Sequence, residues 1–209
     1  IIFMIIFAFS RYFLPYKGAS NGKAIAIPKG IVTLFGVLAV ISFLGEGGMM
    51  DWSGVFLTEA KGVDLSLAGV GYAVFSAAML IGRLIGDKVV QKLGEQRVVI
   101  FGGIVASVGY IISIVFDNFF MMQFGFILLG FGAANIVPVV FTLLGRQKEM
   151  PINSAVTAVT SMGYLGVMFG PALLGFIAHG IGIVAVFCIL AGLFILQAIV
   201  SSYVFKVLN

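Results

Sequence analysis

The chain has 209 residues, of which 61% are hydrophobic and only 10% charged. Soluble domains carry about 25% charged residues, so a water-exposed fold of this size has nowhere to hide so much apolar surface; a lipid bilayer is the solvent that suits it. The net charge of +4 does not point to a nucleic-acid partner, because the basic residues sit in the gaps between apolar runs and form no single patch.

Ile1–Phe9 is apolar but too short to cross a bilayer, since nine residues rise about 14 Å as helix, roughly half the hydrocarbon thickness. It lacks an initiator Met, a basic leading region and a small-residue cleavage site. Residues 1–9 are therefore expected to be the end of a transmembrane helix of a longer parent. Residues 10–29, polar and rich in Gly, Lys and Ser, are expected to form a flexible linker. Six apolar runs follow at 30–57, 66–87, 97–116, 119–144, 153–178 and 181–206, each long enough to span with some tilt. The predicted fold class is all-α, a polytopic membrane helix bundle with six transmembrane helices in 30–209. The single Cys188 rules out an intrachain disulfide.

Lys and Arg set the expected orientation. Arg11, Lys17, Lys23, Lys29, Arg83, Lys88, Lys92, Arg97, Arg146, Lys148 and Lys206 gather on one side, and Lys61 stands alone on the other. The linker, the 88–97 and 145–152 loops and the C-terminus are thus expected in the cytoplasm. Internal similarity points to a repeat. Leu44-Gly45-Glu46-Gly47-Gly48 resembles Leu129-Gly130-Phe131-Gly132-Ala133, and Gly71-Tyr72 with Leu80-Ile81-Gly82 resembles Gly163-Tyr164 with Leu173-Leu174-Gly175. The first and fourth spans, and the second and fifth, then correspond in a 3+3 repeat whose second copy is inverted.

Glu46 falls about 24 Å along its span, inside the hydrocarbon. A carboxylate there is costly unless it is paired, protonated or facing water. It reads as a proton-coupling or substrate-binding group, with a structural acid bonded to a neighbouring helix as the alternative. Gly45, Gly47 and Gly48 around it would let the helix break and offer backbone groups to a substrate. Asp51 is a substrate contact or a solvated helix-end acid, and Trp52 a stacking platform or an interfacial anchor. Arg83 and Asp87, four apart, share a helix face at the cytoplasmic end and read as a gate. Gln123 is a substrate contact or an interfacial residue. Asn135, a turn before Pro138, binds substrate hydroxyls or bridges two helices. Ser161 and Tyr164 line the cavity or pack helices, and His179 is solvated.

Gly82-Arg83-Leu84-Ile85-Gly86-Asp87-Lys88, followed by Lys92-Leu93-Gly94 and Arg97, resembles the cytoplasmic loop signature of the major facilitator superfamily. Gly163-Tyr164, Gly166, Gly170-Pro171 and Gly175 resemble that superfamily's Gly/Pro-rich penultimate helix. Glu46-Gly47-Gly48-Met49-Met50-Asp51-Trp52-Ser53 is similar to its bacterial fucose-permease-like branch. The resemblance implies spans seven to twelve of a secondary transporter working by alternating access. It places Gly82, Arg83, Gly86, Asp87 and Lys88 at a cytoplasmic gate and the substrate at the interface of two halves.

No Ser/His/Asp grouping, cysteine cluster or phosphate loop is present, and with one His no enzyme, cofactor or metal site is expected. The functional expectation is half of a transporter for a small polar solute, sugar-like as one option, coupled to protons through Glu46 in a bacterial inner membrane. Its partners would be that solute, H+, lipid and the N-terminal half of the same parent or a second copy. A uniporter or exporter, and a non-transporting membrane sensor or assembly subunit, are the alternatives. Six helices bury only one side of such a cavity, so the lone half is expected to pair with another copy or expose polar groups. Light scattering that finds a stable monomer with a closed polar face would contradict this.

Overall fold

The computed structural model describes residues 26–208. The expected helix end at 1–9 and most of the expected linker at 10–29 lie outside the described residues. Within them are six helical spans long and apolar enough to cross a membrane, and no strand. The first span is α1 (Ile31–Val55), which continues through a wider π turn, Phe56–Ala60. The second enters through a 3-10 turn, Leu65–Leu67, and becomes α2 (Val70–Leu84); a short amphipathic helix, α3 (Gly86–Leu93), follows. The third span is α4 (Glu95–Val115). The fourth is two helices, α5 (Phe119–Ala133) and α6 (Ile136–Leu144), and the fifth and sixth are α7 (Ile152–Ile181) and α8 (Ile183–Leu208). No bound differs from the predicted one by more than three residues.

Local chemistry explains the punctuation. The Asn118 side chain accepts the Phe120 and Met121 amides at 2.9 and 3.3 Å, capping α5. Asp64 caps the turn into the second span; the Ser66 hydroxyl and amide both donate to its carboxylate and hold it below the usual carboxylate range. Gly94 and Gly182 turn the chain between α3 and α4 and between α7 and α8 at φ 83 and 93, backbone that a side chain disfavours. Pro138 cannot donate to the carbonyl four residues back, and the fourth span breaks there, at Ala134 and Asn135.

The packing pattern is two-fold. The first span lies on the fifth as the second lies on the fourth, the third meets the sixth, and the first–sixth contact is matched by the third–fourth one. Exchanging spans one with four, two with five and three with six reproduces this list. Spans one and four run in opposite directions, so the repeat is inverted, as the sequence similarity anticipates. Burial follows the same symmetry: the apolar stretches of the first and fourth spans are each 56% buried, against 28% for the second and 11% for the fifth. The second and fifth spans therefore carry the open face of the bundle.

Small residues let the backbones meet. A Cβ on Gly109 would lie 2.5 Å from the Gly125 carbonyl oxygen, and one on Gly130 would lie 2.5 Å from the Phe75 carbonyl oxygen. Larger rings fill the middle, where Phe56 stacks on Phe187 at 4.0 Å and Tyr110 meets Phe187 edge-on at 5.3 Å. Polar struts tie the ends. Lys61 reaches Asp117 and the Ile114 carbonyl, each at 2.6 Å, with its side chain only 7% exposed. Lys61, the one Lys or Arg of its face among the described residues, is therefore a tie between the first and third spans. On the opposite, basic face Arg146 pairs with Glu95 at 2.7 Å. Gly109→Val should force the third and fourth spans apart and cost about 1–3 kcal/mol. An unfolding temperature in detergent equal to that of the unmodified protein would contradict this close approach.

Candidate functional site

Helical spacing brings one face of α1 opposite one face of α2. Phe43, Glu46, Gly47 and Met50 recur at intervals of three or four along α1, and Tyr72, Phe75, Ser76, Met79, Leu80 and Arg83 do so along α2. With Val167 of α7 they line a cavity of about 390 Å³, within the range of small-molecule sites.

Glu46 is at mid-depth, the sixteenth residue of the 30-residue first span. Its neighbours do not break the helix, as the sequence suggested they could; α1 runs unbroken through them. They act through packing instead. A Cβ on Gly48 would lie 2.6 Å from a Leu190 methyl, and one on Gly45 would overlap the Phe194 ring, so α1 presses closely on α8. Gly47 faces open space on the cavity side. The Tyr110 hydroxyl, fully buried, donates to the Gly45 carbonyl at 2.9 Å and fixes the segment from behind. Pressed from that side, Glu46 projects towards the second span.

There it meets Arg83, whose Nη2 lies 3.3 Å from Glu46 Oε2. Glu46 Oε1 is buried without a hydrogen-bond partner. Sequence spacing grouped Arg83 with Asp87, but α2 ends at Leu84 and α3 starts at Gly86, so a turn at Ile85 separates the two. Arg83 joins the cavity, while Asp87 and Lys88 stay exposed on α3. The span lengths explain this. The second span has 20 residues against 30 in the first, a rise of about 30 Å against about 45 Å, so its far end stands beside the middle of α1.

The other expected site residues are distributed differently. Asn135 Nδ2 donates to the Gly82 carbonyl at 3.0 Å, and its amide occupies the room left by Gly86, where a Cβ would overlap it. The two glycines of the loop motif thus seat the asparagine of the fourth-span break, and Asn135 serves as a helix bridge outside the main cavity. Trp52 lies on the seam between the first and fifth spans, its ring over Gly175 and its indole nitrogen unpartnered. Asp51 is exposed next to Met50 of the cavity wall. Gln123 is buried on α5, away from the cavity, with both amide atoms unpartnered. Tyr164 is exposed at the cavity's edge, its ring 6.2 Å from Phe43, and Ser161 is exposed one turn earlier on α7. The sequence reading missed Tyr110, Tyr72 and Phe75. For Tyr110 the available signal was a phenol amid glycines in an apolar span, a group that needs a partner once buried.

A sequence profile described as the Major Facilitator Superfamily matches residues 35–208. The chain belongs to that superfamily. It is 46% identical over 159 residues to an uncharacterized MFS-type transporter of Yersinia pestis, covering 76% of this chain and 41% of that protein. Identity to the membrane protein MosC of Rhizobium meliloti is 30% over 150 residues, 72% of this chain and 37% of MosC. The chain thus spans about two fifths of the length of these relatives. In three dimensions it resembles the POT family transporter PepTSo with a TM-score of 0.71, at 17% identity, over 86% of this chain and 38% of that one; this likeness is one of fold. As a superfamily member the chain is an integral membrane protein of a transporter family and not an enzyme.

Removing either member of the Glu46–Arg83 pair leaves a charge without its partner, at Glu46 in a largely buried position and at Arg83 in a half-exposed one. Glu46→Gln and Arg83→Gln should each destabilise the protein more than their combination does, with a coupling of about 0.5–3 kcal/mol in a double-mutant cycle. Strictly additive effects on thermal unfolding would show that the pair is not formed.

Proposed function

We propose that the chain is half of a secondary active transporter that moves a small polar solute by alternating access, with protons coupled through Glu46. One observation carries this reading: a carboxylate at mid-span, facing a cavity and paired with a cation from the next helix. Ionisable groups are expensive at that depth and mark solute or proton pathways. A carboxylate exchanging between a proton and a guanidinium is a two-state element that a transport cycle can use. The transporter named among the relatives supports the same class of function.

The open face on the second and fifth spans supports a partner there, the N-terminal half of the same protein or a second copy. The basic face is the cytoplasmic one in this reading, by the bias of Lys and Arg. Gly82 and Gly86, seating Asn135, would hinge the second span on the fourth at that face, while exposed Asp87 and Lys88 would meet the other half and complete a gate. Arg83 would link that gate to Glu46.

The test is counterflow and pH-driven uptake in proteoliposomes of the full-length carrier, screened with monosaccharides and related polar metabolites. Glu46→Gln should retain exchange and lose accumulation driven by a pH gradient. If it keeps both, the coupling role of Glu46 is wrong. If the unmodified carrier exchanges no solute, the transport reading fails in favour of a sensor or assembly subunit.

A further inference from the structure

The Glu46–Arg83 pair is looser than the other ion pairs of the same chain. Its 3.3 Å separation compares with 2.6 Å for Lys61–Asp117 and 2.7 Å for Arg146–Glu95. Tight charge-assisted bonds between nitrogen and oxygen are about 2.7–2.9 Å long. Arg83 carries five N–H donors, and the contact to Glu46 is the one hydrogen bond it makes among the described residues. Its side chain is 47% exposed, and that exposure opens on the cavity. A guanidinium with most of its donors unused, facing a small-molecule cavity, is an anion receptor of the bidentate kind.

The remaining wall is poor in neutral polar groups. Ser76 and Tyr72 supply the uncharged hydroxyls, and Phe43, Phe75, Met50 and Met79 supply apolar surface. A sugar, with a hydroxyl on nearly every carbon, would leave most of its hydrogen bonds unmade against this side. Charge balance points the same way. With Glu46 ionised the site is neutral, and with Glu46 protonated Arg83 stands alone. A neutral solute cannot relieve that charge, whereas a carboxylate can, making the loaded site neutral again.

From this geometry we infer that the solute carries a carboxylate on a compact body with few hydroxyls, and that this carboxylate takes the Arg83 guanidinium when a proton takes Glu46. The inference rests on the proton-coupled transport reading and names its substrate class. Proton and anion enter together, so one cycle moves no net charge. The groups facing Glu46 are few: Arg83 and Tyr72 from the second span, Tyr110 from the third behind it, and Tyr164 of the fifth at the cavity's edge. The fourth span has no charged residue, and in the sixth the one charged residue is Lys206 at its far end. The fifth span also carries His179 in its last turn, so a pH dependence between weakly acidic and neutral conditions is assigned to Glu46 by its loss in Glu46→Gln.

The experiment is thermal protection of the purified full-length carrier at pH 5.5 and 7.5 by matched probes. These are lactate against lactamide, benzoate against benzamide, and galacturonate against galactose. At least one carboxylate should protect at a half-saturating concentration roughly tenfold below its neutral partner. It should protect better at pH 5.5 than at pH 7.5. Glu46→Gln should remove the pH dependence while keeping protection, and Arg83→Gln should abolish protection. The comparison of acid with amide needs only the unmodified protein, so a poorly folding variant does not block it. Equal protection by acids and amides, or protection by no carboxylate, overturns the inference. Uptake of a neutral sugar that galacturonate does not inhibit also overturns it and leaves the transport reading standing. Arg83-dependent protection without counterflow of any probe would sink the transport reading and keep the anion site.

Discussion

A charge placed in hydrocarbon must be met by an opposite charge or by water, and the Glu46 carboxylate meets the Arg83 guanidinium across the first and second spans. Much of the surrounding construction positions these two side chains. Gly45 and Gly48 bring α1 hard against α8, and Tyr110 fixes the Gly45 carbonyl from the third span. Glu46 has one direction left, into the cavity. On the other side the second span is short, and the turn at Ile85 ends it where Arg83 stands level with Glu46. Had α2 continued straight for ten more residues before its first cation, the carboxylate would have no partner.

Helix association in lipid draws little from the hydrophobic effect, because lipid tails are as apolar as leucine. Close backbone approach replaces it, at Gly109 on Gly125 and Gly130 on Phe75. The first of these joins spans three and four within an inner layer completed by spans one and six, and the second ties span two onto span four. Spans two and five, bound mainly to one neighbour each, keep an exposed face. That face bears the cavity, so the inverted repeat which stabilises the bundle also leaves its chemistry at the edge, where a second half can complete it.

The loop motif takes on a physical meaning in the fold. Gly82 and Gly86 are not spacers between charges. They form the socket for Asn135, at the point where Pro138 breaks the fourth span. A Cβ at Gly82 would lie 2.7 Å from the Ala134 Cβ and press the second span away from the fourth, whereas one at Gly86 would displace the Asn135 amide from its seat. The motif, the break and the ion pair are one mechanical unit joining the basic face to the cavity.

Much of this was legible in the sequence, and the reason is the period of the helix. Apolar run lengths located six spans, the depth of Glu46 marked the costly charge, and paired glycine patterns revealed the repeat, because each depends on residues near one another along the chain. The partners of those residues were not legible. Spacing paired Arg83 with Asp87, yet Arg83 meets a residue 37 positions away; Asn135 was open between substrate and bridge until Gly82 and Gly86 appeared beside it; Tyr110 carried no mark of its bond to Gly45. Sequence determined which groups lipid would not tolerate alone. Tertiary structure decided what each would meet, because helix lengths, one turn at Ile85 and the closeness allowed by glycine set the relative heights of the spans.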